Sequence, residues 1–198
     1  MKPKRYVVLF LILALSSVVT GCAAFREGSI SRAGMLTETA MKKHPSIGVQ
    51  VSGAVILNGK IYQSHPKTTK NWRAQTIRAY EESGLFSQVV ESAGDTDLHA
   101  EVMIVDRGDP NRFFSFITGL TLYIIPSKAT DKFTVKTAIS DGDGNILEAF
   151  EKSETVTLWQ HLFMIVAMPF NWPSSVAKEA LYDLNRATIS DAYAHGIL

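Results

Sequence analysis

The most reactive side chain in these 198 residues is the thiol of Cys22, and the chain contains no other Cys. A lone Cys closes no intrachain disulfide and builds no thiolate metal site. The remaining candidates for chemistry are scattered. Asp97, His99 and Glu101 fall at alternate positions, a spacing that puts them on one strand face where a metal ion or an acid–base pair could form, but no second His stands near them and we read them as a solvated face. Asp141-x-Asp143-x-Asn145 begins like a calcium loop. It then places Ile146 where the sixth position requires Gly and Lys152 where the twelfth requires Glu, so it reads as a hairpin turn. His161 stands among apolar residues, which suits a satisfied or interfacial imidazole better than a catalyst. The chain has no Gly-x-Ser-x-Gly, phosphate loop or His-Glu-x-x-His. We therefore expect no catalytic residue, no metal and no cofactor, and a protein that is not an enzyme.

The residues before Cys22 give its thiol a different use. Lys2, Lys4 and Arg5 form a short basic region, Tyr6 to Leu15 is almost wholly apolar, and small residues follow up to the Cys. That order is a secretory signal. Its apolar stretch is shorter than the roughly 20 residues of a membrane-spanning helix. Val19-Thr20-Gly21-Cys22 resembles the bacterial lipobox: an aliphatic residue, a small residue, Gly or Ala, then the Cys. The resemblance implies that Cys22 is diacylated, exposed by cleavage after Gly21, and acylated again at its new amino group with a chain such as palmitate. Three acyl chains hold a protein on a bilayer almost permanently, where one chain holds it marginally. Ala23 and Ala24, not Asp, follow the Cys, so the resemblance further implies an outer-membrane lipoprotein facing the periplasm.

The balance of 20 Lys+Arg against 19 Asp+Glu leaves no electrostatic footprint for nucleic acid, and 46% apolar residues suffice for one domain with a real core. Removing residues 1–21 removes Lys2, Lys4 and Arg5 and no acid, leaving 17 cations against 19 anions. The expected organisation is a signal peptide over 1–21, a lipidated tether over 22–46, and an α/β domain over 47–198. The tether carries scattered charge without a sustained period, with one short helix expected at Ser31 to Lys42.

From Ile47 the apolar period becomes two, through Val49, Val51 and Val55, and Asn58-Gly59 predicts a tight hairpin turn. Pro66 opens a helix through Trp72, Ile77 and Tyr80, which stops at Ser83-Gly84. Ser87 to Ser92 reads as a short strand and Leu98 to Asp106 as a strong one, completing a ββαββ unit. A second hairpin runs through Phe133, Val135 and Ile139, turns at Asp141–Asn145 and returns over Ile146 to Thr157. Pro173-Ser174-Ser175 starts the last helix, which ends at Gly196. Leu98, Val102, Ile104, Phe133, Val135 and Ile139 are expected to share one core. The fold class is α+β: a single α/β sandwich, its sheet antiparallel or mixed, with helices on one face. The run Glu81-Glu-Ser-Gly-Leu-Phe86 before a strand and an acidic turn resembles the small α/β domains of envelope lipoproteins that serve as assembly or transport accessories. That resemblance covers residues 47–106 and carries no catalytic residue across.

Two segments stand apart. Phe113 to Pro126 has no charge, and Thr155 to Ala177 has none except the titratable His161. A helix over Leu158 to Met168 would be about 16 Å long, and one over the whole first segment about 21 Å, both short of a hydrocarbon core of about 30 Å. One segment leads into the second hairpin and the other leads out of it, so both should leave the sheet at the same edge. Phe113, Phe116, Leu120, Tyr123, Trp159, Phe163, Phe170 and Trp172 are the candidate membrane or partner contacts, with Arg112, Lys128 and Lys132 able to reach lipid phosphates. Both segments could equally be core elements covering the sheet. The functional expectation is an outer-membrane lipoprotein that is a structural or accessory part of an envelope assembly or transport system. Its partners would be membrane lipid and an envelope protein. The alternative is a periplasmic carrier shielding an apolar ligand between the sheet and the two segments.

Overall fold

A computed structural model describes residues 21–28, 30, 44–92 and 94–198. Apart from Gly21, the signal segment lies outside the described residues, as does the helix expected over Ser31 to Lys42. The elements in chain order are β1 (Cys22–Arg26), β2 (Ser46–Leu57), β3 (Lys60–Gln63), α1 (Pro66–Glu81), β4 (Gln88–Val90), β5 (Leu98–Gly108), α2 (Arg112–Leu120), β6 (Ser127–Asp141), β7 (Ile146–Gln160), α3 (Met164–Ala167) and α4 (Pro173–Ala194). Seven strands form one open mixed sheet in the order β1-β7-β6-β5-β2-β3, with β4 pairing β2. The β2–β5 and β2–β4 pairs are parallel and the others antiparallel.

Local chemistry accounts for the turns. Asn58 and Gly59 both take positive φ (49° and 77°) between β2 and β3, the backbone that a two-residue hairpin needs to follow the strand twist. His65 caps α1 by accepting from the Lys67 amide, and Pro66 fills the first helical position, where its missing N–H costs nothing. At the other end Ser83 Oγ donates to the Tyr80 carbonyl and accepts from Leu85 N, and Leu85 is buried in the core. Asp141 organises the β6–β7 turn: its carboxylate accepts from Asp143 N, Asn145 N and Asn145 Nδ2 at 2.8–3.0 Å, which holds its pKa below the ordinary carboxylate range.

One core joins the sheet to α1 and α4. Leu98, Val102, Ile104, Phe133, Val135 and Ile139 are all buried in it, together with Ile47, Trp72, Tyr80, Leu184 and Ile189. Tyr80 stacks on Phe86 with ring centroids 5.7 Å apart. The opposite face of the sheet is open and mostly polar, with a shallow groove in which Gln50, Ser52, Glu101, Lys136 and Glu151 surround the exposed Met103.

Three expectations are corrected. The chain from Cys22 does not begin as a free tether, because Cys22–Arg26 is the outer strand of the sheet, with Ala23 and Ala24 fully buried. Leu158 to Gln160 is not helical but ends β7, where Leu158 pairs with Ala24 on one side and Ala129 on the other; only Met164–Ala167 forms a helix. The two apolar segments leave at one end of the sheet, not at a side edge, since β6 and β7 lie inside it between β1 and β5.

Candidate functional site

The first residue of β6 pairs with the last residue of β7, Ser127 with Gln160, and Cys22 pairs with that same Gln160 from the other side. This single register brings the lone thiol and both apolar segments to one end of the molecule. Ser127 Oγ donates to Gln160 Oε1 at 2.8 Å across that end.

The segments fold as compact caps whose apolar side chains face outward. Asn111 caps α2 by accepting from Phe114 N, and Thr118 and Thr121 turn their hydroxyls back onto the Phe114 and Ile117 carbonyls. After α2, Leu122 and Tyr123 both adopt positive φ (50° and 64°), a left-handed backbone that costs a bulky residue about 1 kcal/mol or more. Tyr123 N donates to the Thr118 carbonyl, and the Tyr123 carbonyl accepts from Leu162 N at 2.8 Å, which fastens one segment to the other. Phe113, Phe116 and Leu120 are 66–69% exposed, Phe163 is 74% and Phe170 87% exposed, while Trp159 (38%) and Trp172 (49%) are part-covered. Tyr123 is intermediate. Seven of the eight contact residues read from sequence therefore present an exposed apolar surface, and Tyr123 belongs to the clamp beneath it.

Cations border this end on the open face. Lys128 Nζ lies 5.9 Å from the Trp159 ring centroid. Arg107 and Lys132 stand directly opposite each other on β5 and β6, both exposed, and neither forms an ion pair among the described residues. Like charges so placed repel, a cost that an anion between them would remove. On the core face at the same level lies an acidic pair. Asp106 has its Oδ1 buried without a hydrogen-bond partner among the described residues, and burial, then the charge of Asp131, pushes its carboxyl up to about 7. Asp131 is raised by burial first and Asp109 second.

Sequence reading missed the device that fixes β1. Arg26 donates from Nε and Nη2 to both carboxylate oxygens of Glu154, each at 2.6 Å, and from Nη1 to Asp183 on α4. Burial alone would lower the Arg26 pKa, but these bonds more than offset it and hold the guanidinium charged. A single Arg in a stretch without period carries no signal of such pairing.

The other candidates stay apart. Asp97 precedes β5 and accepts from Ser46 N and Oγ, so it does not share a strand face with His99 and Glu101. His99 Nδ1 lies 3.2 Å from Thr96 Oγ1. His161 Nδ1 accepts from Phe163 N at 3.4 Å within the apolar cap. Among the described residues no three His, Cys, Asp or Glu side chains converge to hold a metal, and no helix is long and apolar enough to cross a membrane.

No family model matches the chain, and no curated protein is similar to it in sequence. Among solved structures it is similar to a minor lipoprotein from Acinetobacter baumannii, at 13% identity and a TM-score of 0.45 over 77% of this chain and 93% of that one. It is also similar to the PelC dodecamer from Paraburkholderia phytofirmans (8% identity, TM-score 0.39, 83% and 95% covered). A third likeness is to rare lipoprotein B from Shewanella oneidensis (11% identity, TM-score 0.35, 75% and 96% covered). At these scores the likenesses assign no role to this chain.

Proposed function

We propose that the protein is an outer-membrane lipoprotein, anchored through Cys22 on the periplasmic face, that acts without catalysis as a structural or accessory part of an envelope assembly or transport system. Its mechanism is tethering and docking. The observation that carries this reading is the place of Cys22: the residue that the lipobox marks for acylation is the first of a sheet strand, beside the exposed apolar caps. The polar open face of the sheet remains available to an envelope protein. The carrier alternative requires the two segments to fold inward over an apolar cavity, and Phe113, Phe116, Leu120, Phe163 and Phe170 face outward instead.

Replacing Cys22 by Ser tests the anchor. The variant should accumulate as an uncleaved or soluble form and lose incorporation of labelled palmitate, while the wild type fractionates with outer membranes. Unchanged processing and fractionation of Cys22→Ser would refute the lipoprotein reading.

A further inference from the structure

We propose that the apolar end of the sheet is a seat embedded in the acyl-chain region of the same leaflet that holds the Cys22 lipid, so that the domain stands on the membrane and does not hang from it. This rests on the Cys22 anchor proposed above and names lipid as the partner of the apolar surface.

The anchor leaves no slack. Cys22 is already paired with Gln160 and Ala23 is fully buried, so the acyl chains start at the surface of the folded domain. The chemistry of maturation fits the local backbone. Hydrolysis of the Gly21–Cys22 bond leaves a free amine. Attack of that amine on the acyl ester of a phospholipid donor breaks the ester bond, passes the amine proton to the hydroxyl of the departing lysophospholipid, and forms an amide whose carbonyl takes the place of the Gly21 carbonyl. That carbonyl accepts from His161 N at 2.9 Å, a bond the N-acyl group inherits. The position before it tolerates only a CH₂: a Cβ on Gly21 would run into the His161 and Leu162 carbonyl oxygens, whereas the α-carbon of a fatty acid carries hydrogens alone. The amide-linked chain therefore begins against residues 161–165, in the middle of the apolar cap.

Two further observations favour lipid over a protein occupant. Irregular backbone normally leaves N–H groups to water, which hydrocarbon does not provide. Here the amides of 121–125 and of 161–166 all donate within the protein, Ile125 N to Thr121 Oγ1 and Phe163 N to His161 Nδ1 among them. The dimensions also match one leaflet, because the nine residues of α2 span about 14 Å, roughly half of a 30 Å hydrocarbon core. Part-covered Trp159 and Trp172, with Lys128, Arg107 and Lys132 behind them, then fall at the depth of the glycerol and phosphate groups.

The test uses the lipidated protein reconstituted into phosphatidylethanolamine–phosphatidylglycerol vesicles whose acyl chains carry bromine at graded depths. Trp159 and Trp172 should be quenched and core Trp72 spared, lowering total emission about two-fold. Phe116→Asp and Phe163→Asp should remain vesicle-bound through Cys22 but lose most of the quenching. The mass of the Cys22 peptide is read from the same sample. A lipidated wild type without quenching overturns the seat alone and points to a protein or a second copy on the apolar end. An unmodified Cys22 overturns the anchor and the seat with it. Undiminished quenching in the folded charged variants also overturns the seat, and should either variant misfold, the wild-type measurement decides by itself.

Discussion

Asp106 shows how much one carboxyl can record about its surroundings. It ends the core-facing row of β5, part-buried beside Asp131, with its pKa pushed up to about 7 from an unfolded value near 4. Because the folded value is the higher one, the protonated form is favoured by folding. The stability it contributes is fully present below about pH 4 and is lost as pH rises through about 7. We expect urea unfolding to show the wild type less stable at pH 8 than at pH 5 by on the order of 2 kcal/mol, and Asp106→Asn to abolish most of that slope while raising stability at pH 8. Equal pH dependence in the two proteins would show that Asp106 is solvated.

At the scale of elements, β1 is the strand most dependent on one side chain. It is five residues long, and its far end is held by the guanidinium that links β7 to α4. Removing one partner of a buried charge network leaves the others uncompensated, which costs about 3 to 5 kcal/mol. Arg26→Met should lose stability in that range, and hydrogen exchange at Ala24 and Phe25 should accelerate more than exchange at Val135. Adding Glu154→Gln and Asp183→Asn should recover part of the loss, because the orphaned charges go. A triple variant no more stable than Arg26→Met would mean that the network contributes through packing and not through charge.

Over the whole molecule, apolar side chains divide into two populations that hydropathy does not distinguish. Phe133 lies in the core, whereas Phe116 and Phe163 project from one end. In the unlipidated domain, Phe133→Ala should cost about 2 to 4 kcal/mol, while Phe116→Asp and Phe163→Asp should change stability by no more than about 0.5 kcal/mol. Thermal unfolding of the three variants checks this. Collapse of the Phe116→Asp fold would place that end in a core, where a buried unpaired charge costs several kcal/mol. The same division explains the polarity of the molecule: a charged open face along the sheet and an apolar end beside Cys22.

What the sequence determined alone was whatever a few adjacent residues decide. Asn58-Gly59, the Pro66 helix start, the Asp141 turn and the period-two rows of β2, β5 and β6 are legible because backbone sterics and local hydrogen bonds specify them within a short window. Tertiary structure decided the rest. The membership of β1 depends on Arg26 meeting Glu154 and Asp183, 128 and 157 residues away, and five residues are too few to display a period. Leu158 to Gln160 became strand and not helix because β1 and β6 were there on either side to pair with it. Whether Phe116 and Phe163 face a core or the outside could not be read from their own hydrophobicity, since burial is set by which elements lie opposite. Here none of the described elements does.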